Sequence, residues 1–444
     1  VAERLFGTDG VRGVAGDVVT AELAVALGRA AASACDSANP QILIVRDTRE
    51  SGPMLEAGLA AGIAQAGGDA LIAGVLPTPA ASILARRHGM DMAAVVSASH
   101  NPWRDNGIKF FGADGGKLDD ALQESIEAHV ARAGGDANGN GGGGPCVGRT
   151  RELQGALDDY LRELEGAFPL DLAGLHVVLD CAHGATFRAA PAIFERLGAK
   201  VETLGADPDG RNINEGVGST HPEALAERVA ASGASIGFAY DGDGDRVIAV
   251  DADGAVRDGD ELISVVALHL RDAGSLDGVA VTVMSNYGFH SAMQEAGIEV
   301  EVTPVGDRHV ASALGERGWS LGGEQSGHVI WTEFAPTGDG LAASLLLARS
   351  LAGRPLAEAI PMRKLPQLLQ NVRVGDRAAV ESSAALAEAV ERESAGLEGR
   401  GRVLLRPSGT EPLIRVMVEA PELDECEAVC GRLVELVQRE LGQP

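Results

Sequence analysis

Two serines, a histidine and a lysine gather in one short stretch, SASHNPWRDNGIKFF from Ser97. Ahead of it, Met92–Val96 is apolar and partly β-branched and stops abruptly at small and polar residues, which reads as a buried strand opening into an exposed loop. Ser97 and Ser99 offer hydroxyls, His100 a titratable ring and Lys109 a cation, the residue types that covalent catalysis on a serine recruits. Asn101-Pro102 and Asn106-Gly107 supply turns that would expose them. The spacing does not choose between the two serines.

Three more stretches carry chemistry. In DGDGDR from Asp241, the residues Asp241, Asp243 and Asp245 alternate with glycines after a predicted strand, so the carboxylates can converge in an extended loop, where helical spacing would splay them. Three hard oxygen donors favour a divalent cation such as Mg²⁺. A calcium loop of the EF-hand type is excluded, because its glycine position is Arg246 and its closing glutamate position is Ala252. In GGEQSGH from Gly322, Glu324, Ser326 and His328 fall on alternate positions; an extended loop would put them on one face, able to hydrogen-bond sugar hydroxyls. Arg406-Pro-Ser-Gly-Thr-Glu-Pro-Leu-Ile-Arg415 lies between two predicted strands. There Ser408, Gly409 and Thr410 can present N–H groups and hydroxyls, and Arg406 and Arg415 supply planar forks that match phosphate oxygens. It lacks the Gly-Lys-Ser/Thr spacing of a Walker loop. Any one of these stretches alone is also what a polar turn looks like; all four in one chain are not.

Elements to position them follow from periodicity. Helices are predicted over 21–34, 55–66, 152–164, 190–197, 223–231, 261–271, 338–351, 379–391 and 423–441, and strands over 42–45, 70–73, 92–96, 177–179, 235–239, 279–284, 300–304, 371–374, 402–405 and 413–419. Strand and helix alternate, so the fold class is α/β: three similar mixed-sheet domains plus a smaller C-terminal α+β domain. The predicted boundaries are 1–150 with the serine loop, 151–252 with the aspartate loop, 253–366 with the Glu324 loop and 367–444 with the Arg406 loop. The glycine-rich segment 133–145 cannot bury a core and is predicted to be a surface excursion.

Composition narrows the function further. Hydrophobic residues make up 45% of the 444, ample for several cores, whereas aromatics are only 3%, which argues against stacking bases on aromatic platforms. A formal net charge of -27 opposes nucleic acid and acidic membrane surfaces. Cys35, Cys146, Cys181, Cys426 and Cys430 form no Cys-x-x-Cys pair, so neither a disulfide framework nor a zinc site is expected. The first residues are charged where a signal peptide needs its apolar region, and no apolar run approaches a membrane span. A cytoplasmic protein is expected.

The stretches FGTDGVRG from Phe6, SASHNPWRDNGIKFFG from Ser97, DGDGDR from Asp241, GGEQSGH from Gly322 and RPSGTEPLIRV from Arg406 closely resemble, in order and across nearly the whole chain, the motifs of the α-D-phosphohexomutase superfamily. The resemblance implies four domains around a central cleft, each giving one motif, with the C-terminal domain closing over the cleft to keep water out. It implies that Ser99 carries the transferable phosphoryl group and that Asp241, Asp243 and Asp245 bind Mg²⁺, with an oxygen of phospho-Ser99 completing the shell. Glu324 and Ser326 would hold sugar hydroxyls, and Arg406, Ser408, Gly409, Thr410 and Arg415 the phosphate that is not reacting. Lys109, Arg12 and Arg246 would neutralise the moving group, and His100, Lys109 or His328 would handle the proton. Gln325 and the FGTDGVRG opening look like the branch acting on glucosamine phosphates. That implies interconversion of glucosamine 6-phosphate and glucosamine 1-phosphate through a phosphoserine and a 1,6-bisphosphate, for cell-wall precursor synthesis, with hexose 1,6-bisphosphate as activator. Glucose or mannose phosphates are the alternative substrates. His309, where this branch usually has tyrosine, departs from the pattern outside the four motifs. The implied partner is a small sugar phosphate, with no nucleic acid and no membrane; a homodimer fits the reading.

Overall fold

Small residues let the first two long helices touch backbone to backbone. A Cβ added to Gly28 would stand 2.3 Å from Leu59 O, and one on Gly62 would stand 2.1 Å from Val25 O. These helices, Ala21–Ala34 and Gly52–Gln65, belong to a computed structural model that describes residues 5–7, 9–135, 147–375, 383–407 and 412–442. The chain forms two compact units, Val1–Met284 with Glu299–Ile360, and Ser285–Ile298 with Pro361–Pro444.

The first unit holds three mixed sheets. One has six strands in the spatial order Val11–Val14, Asp105–Gly112, Met92–Val96, Gln41–Arg46, Asp69–Val75 and Thr150–Glu152. Met92–Val96 is buried at every position, as a strand covered on both faces must be, and pairs in parallel with Gln41–Arg46 and antiparallel with Asp105–Gly112. The second runs Val256–Arg257, Val247–Asp251, Ile236–Tyr240, His176–Asp180, Lys200–Leu204, and the third Glu299–Thr303, Gly278–Thr282, Leu321–Gly323, Val329–Trp331. The serine loop leaves the carboxyl end of Met92–Val96, and the aspartate loop leaves that of Ile236–Tyr240, the end at which open α/β sheets place ligands.

The second unit is smaller and α+β. Its antiparallel sheet has the order Gln367–Arg373, Leu413–Glu419, Arg402–Pro407, and the helices Ala384–Gly396 and Leu423–Leu441 contribute Leu386, Ala389, Val429, Leu433 and Val437 to its core. The helix Tyr287–Glu295 also belongs here, tied down by Glu419, whose carboxylate accepts Tyr287 N–H at 2.8 Å.

Several sequence expectations are corrected. Asn106-Gly107 is no turn but lies within Asp105–Gly112, where Gly107 pairs with Arg12; a strand here was missed because Asn and Gly are poor strand formers. The strand Leu413–Glu419 is found at its predicted limits as the central strand of its sheet, with Val416, Met417 and Val418 all buried. The helix predicted over 379–391 is found at Ala384–Gly396, residues 376–382 lying outside the described part, as do Cys146 and 136–145 of the glycine-rich segment.

One buried carboxyl ties the third sheet's following helix to the site. Asp339 caps Gly340–Leu351, accepting Leu341 N–H at 2.9 Å and Ala342 N–H at 3.0 Å, and accepts the Tyr160 hydroxyl at 2.9 Å; the next residue's N–H, from Gly340, reaches Gly244 O in the aspartate loop at 3.0 Å. Burial pushes the Asp339 carboxyl up to about 6 in spite of these bonds. A carboxyl whose pKa is raised on folding contributes stability below its unfolded value that is lost as pH rises through the folded value. Asp339 is therefore expected to lower unfolding free energy by about 2–3 kcal/mol between roughly pH 4 and pH 6. Asp339→Asn should remove that part of the slope, read from urea midpoints of both proteins across this range.

Candidate active site

The two serines have different surroundings. Ser97 Oγ donates to Asp47 Oδ2 at 2.6 Å and accepts the Ser99 N–H at 2.9 Å, so its hydroxyl is committed to holding the loop. Ser99, 1% exposed, donates its hydroxyl to Asp241 Oδ2 at 2.5 Å. That hydroxyl faces the aspartate loop.

Asp241, Asp243 and Asp245 are buried, and each offers an oxygen within 4.8 Å of the others. Asp243 Oδ2 accepts Thr78 Oγ1 at 2.6 Å and Lys109 Nζ at 2.7 Å, but Asp243 Oδ1 and Asp245 Oδ1 are buried without a hydrogen-bond partner. His328 Nδ1 stands 3.8 Å from Asp245 Oδ1, too far for a hydrogen bond. Burial, with Asp245 and Asp243 alongside, holds the Asp241 carboxyl well above the usual range. Burial also acts on Asp245, but Lys109, followed by His328 and Arg246, outweighs it and holds that carboxyl well below the range. Orphaned hard oxygens beside a carboxylate that resists ionising fit a divalent cation, whose charge would satisfy both.

A chain of alternating charges surrounds the triad. Lys109 Nζ lies 2.7 Å from Asp243, 3.6 Å from Asp245 and 3.6 Å from Asp9; burial opposes its charge, and Asp243, Asp9 and Asp245 overcome it and raise its pKa, keeping it an ammonium. Asp9 also binds Arg12 and, at 2.5 Å, Lys117, whose Nζ reaches Asp307 Oδ2 at 2.6 Å. His328 Nε2, 3.3 Å from the same Asp307 oxygen, accepts Gly338 N–H at 3.1 Å. Arg246 Nη1 donates to His100 Nδ1 at 2.9 Å; a guanidinium cannot accept, so this nitrogen carries no proton and Nε2 does. Burial and then Arg246 lower the His100 pKa, which keeps the ring neutral.

The predicted sugar loop is built differently from the expectation. Residues 324–327 form a hairpin turn between Leu321–Gly323 and Val329–Trp331, not an extended segment, so Glu324, Ser326 and His328 do not share a face. His328 is buried, Ser326 is exposed, and Glu324 Oε1 accepts Gly306 N–H at 3.0 Å. In the second unit Arg406 and Arg415 are direct cross-strand neighbours, and burial together with Arg415 lowers the Arg406 pKa. Ser408, Gly409 and Thr410 lie outside the described residues.

The first unit thus brings together Ser99, His100, Lys109, Arg12, the three aspartates, Arg246 and His328. Sequence reasoning missed Thr78, Lys117 and Asp307, and gave Asp9 no role. Thr78 had a signal, a Thr-Pro opening a helix; Lys117 and Asp307 had none, because only the packing of the first and third sheets' loops makes them a pair. A cavity of about 350 Å³ opens beside that pair, lined also by Asp119, Arg308, Thr332 and Thr337.

Residues 3–135, 158–254 and 258–368 match the families described as phosphoglucomutase/phosphomannomutase alpha/beta/alpha domains I, II and III, and residues 369–436 match the C-terminal domain of the same set. The chain is 52% identical over 440 residues to the phosphoglucosamine mutase of Desulforudis audaxviator, covering 98% of this chain and 97% of that one. It is 50% identical over 452 residues to that of Streptomyces griseus, covering 99% and 100%. Among solved structures, a phosphoglucomutase/phosphomannomutase family protein from Burkholderia thailandensis superposes with TM-score 0.83 at 24% identity over 100% of both chains. The Aspergillus fumigatus N-acetylphosphoglucosamine mutase, solved with GlcNAc-6P and magnesium, superposes with TM-score 0.67 at 17% identity over 98% and 95%. These structures share the fold.

Proposed function

The chain belongs to the phosphoglucomutase/phosphomannomutase family, and on that premise we propose that it interconverts glucosamine 6-phosphate and glucosamine 1-phosphate, with Ser99 as the phosphoryl carrier. The observation that carries this reading is the Ser99 hydroxyl 2.5 Å from Asp241, inside a buried three-carboxylate cluster. Relatives at about half identity over the full chain support the amino-sugar substrate. The supply of cell-wall precursors is the corresponding role, in the cytoplasm, where charged sugar phosphates are retained; no described helix is long and apolar enough to cross a membrane.

In the proposed cycle the P–Oγ bond of phospho-Ser99 breaks as O1 of glucosamine 6-phosphate takes the phosphoryl group and loses its proton. The 1,6-bisphosphate turns around, and its 6-phosphoryl group passes to Ser99 Oγ while O6 regains a proton. No phosphate or proton is released overall. The Ser99 hydroxyl donates its hydrogen bond to Asp241 Oδ2 when the serine carries no phosphoryl group. Lys109 and Arg246, both cationic, place positive charge beside the moving group. Asp241, Asp243 and Asp245 would hold Mg²⁺, which when bound neutralises charge on the transferring phosphoryl oxygens. Arg406 and Arg415, with Ser408, Gly409 and Thr410, would take the phosphate that is not reacting, and Glu324 and Ser326 sugar hydroxyls. Hexose 1,6-bisphosphate would prime Ser99. The division into four domains near residues 151, 253 and 367 is part of the proposal, supported by four family matches that change over close to those positions.

The test compares turnover of glucosamine 6-phosphate, glucose 1-phosphate and mannose 1-phosphate with Mg²⁺ and a trace of hexose 1,6-bisphosphate. The expected result is a rate far higher on the amino sugar. Faster turnover of glucose or mannose phosphate would keep the serine chemistry and overturn the substrate.

A further inference from the structure

Among the described residues, five that are not glycine sit at positive φ: Ser99 at 51°, Ala182 at 54°, His183 at 48°, Asn214 at 60° and Ala352 at 48°. A Cβ disfavours this left-handed region, and such backbone persists only where the surroundings over-determine it. At Ser99 the surroundings can be named. Its N–H donates to Ser97 Oγ at 2.9 Å, and Ser97 donates to Asp47 Oδ2 at 2.6 Å. Its carbonyl accepts from Arg49 Nη2 at 2.8 Å and from Asn214 Nδ2 at 3.0 Å.

Arg49 is 0% exposed, and all five of its side-chain N–H donors are engaged. Nε binds Asp47 Oδ2 at 2.8 Å, Nη1 binds the carbonyls of Pro102 at 2.5 Å and Asp105 at 2.9 Å, and Nη2 binds those of Ser99 and Asn101, each at 2.8 Å. Because the guanidinium is a rigid plane, its position dictates where four carbonyls of the serine loop stand. From the other side, Asn214 is anchored by its own N–H on Ala182 O at 2.9 Å, and His183 O accepts Thr48 Oγ1 at 2.5 Å. Four of the five left-handed residues therefore join in one network around this loop. A Cβ on Gly242 would stand 2.6 Å from Ser99 O, so the aspartate loop closes on the same carbonyl.

We propose that Asp47, Arg49, Ser97 and Asn214 form a clamp that holds Ser99 in its left-handed conformation, and that this conformation aims the Ser99 hydroxyl at Asp241. None of the four touches the reacting atoms; they are positioning residues, and the inference rests on Ser99 being the phosphoryl carrier. The clamp explains why a site built for transfer keeps a backbone that its own side chain disfavours: relaxed, the loop would carry Oγ away from the aspartates.

The test uses Arg49→Lys, Ser97→Ala and Asn214→Ala in the full chain, with three readouts. These are kcat and KM on glucosamine 6-phosphate, the rate at which glucose 1,6-bisphosphate phosphorylates Ser99 followed by intact mass, and the melting temperature. A lysine can replace at most three of the five donors, so Arg49→Lys should lower kcat and the phosphorylation rate by about 10²-fold, with KM held within about threefold. Ser97→Ala and Asn214→Ala should each lower both rates by about tenfold, again without a matching change in KM. If Arg49→Lys does not fold, the other two decide. Unchanged rates in both, or losses that only track the unfolded fraction at the assay temperature, would overturn the clamp. A parent protein that is phosphorylated on Ser99 yet does not turn over the amino sugar would overturn the substrate reading alone, and the phosphorylation rates would still measure the clamp.

Discussion

Ser99→Ala is expected to lower mutase turnover by about 10⁴-fold or more, because it removes the oxygen that carries the phosphoryl group and leaves no second nucleophile in place. Ser97 cannot substitute. Its hydroxyl is spent between Asp47 Oδ2 and the Ser99 N–H, whereas it is the Ser99 hydroxyl that donates to Asp241. Incubation with glucose 1,6-bisphosphate should add one phosphoryl group to the parent protein and none to Ser99→Ala, while Ser97→Ala still accepts it more slowly. The substitution deletes a buried donor to Asp241 Oδ2 and leaves that oxygen without it, so stability should fall by about 1–3 kcal/mol. Phosphorylation of Ser99→Ala at an unchanged rate would remove Ser99 from the mechanism.

Lys109→Met should be the most disruptive change that leaves Ser99 in place. The ammonium is buried within 2.7 Å of Asp243 and 3.6 Å of both Asp245 and Asp9, and without it those carboxylates face one another in a poorly solvated site. Removing one partner of a buried charge network destabilises by about 3–5 kcal/mol, and removing positive charge beside a transferring phosphoryl group lowers turnover by about 10²–10³-fold. The direction with pH follows from the same geometry. In the parent protein Asp245 and Asp9 are held well below the usual carboxylate range, against burial, by Lys109 foremost among the cations, so they contribute stability that is lost only in strong acid. In Lys109→Met burial moves the folded-state values up toward and past the unfolded ones, so the acid-side loss shrinks and stability is instead lost as pH rises above about 4. Melting temperatures of the two proteins from about pH 2 to pH 8 check this, and parallel curves would place the charge balance elsewhere.

How much of this was legible in the sequence depended on whether a residue acts through its neighbours in the chain or through the fold. Asp241, Asp243 and Asp245 could be read as one cluster because glycines separate them and a loop after a strand can turn all three inward. The helices Ala21–Ala34 and Leu423–Leu441 and the strand Leu413–Glu419 match their predicted limits because periodicity is a local property. Choosing Ser99 over Ser97 took the family resemblance; the different partners of the two hydroxyls, Asp241 for Ser99 and Asp47 for Ser97, agree with that choice and could not be read from the sequence. Arg49 was invisible for a different reason. Its sequence neighbours, Asp47-Thr-Arg49-Glu-Ser, look like an exposed turn after a strand, and only the return of the chain through Ser99 to Asp105 surrounds that side chain with carbonyls. Lys117 and Asp307 are a pair made entirely by packing. The hairpin at Glu324 went the other way: strict alternation suggested an extended face, and the positive φ of Gly327 bends it into a turn.

The partners that hold the serine loop are far apart along the chain: Arg49 and Ser99 by 50 residues, Asn214 and Ser99 by 115, Ser99 and Asp241 by 142. Closing such long loops is entropically costly and must be offset by contacts that form only afterwards. The helices can form from local contacts, whereas the sheets already need long-range pairs such as Gln41–Arg46 with Met92–Val96. The left-handed serine needs both, since only Ser97 among the groups that hold it is local, and Arg49, Asn214 and Asp241 arrive from far along the chain. The Ser99 loop is therefore expected to be among the last parts of the first unit to reach its native state as the chain folds. On the proposed mechanism a nascent chain would stay catalytically silent until residues beyond Asp241 had been synthesised and packed, so an unfinished product would carry no reactive phosphoserine.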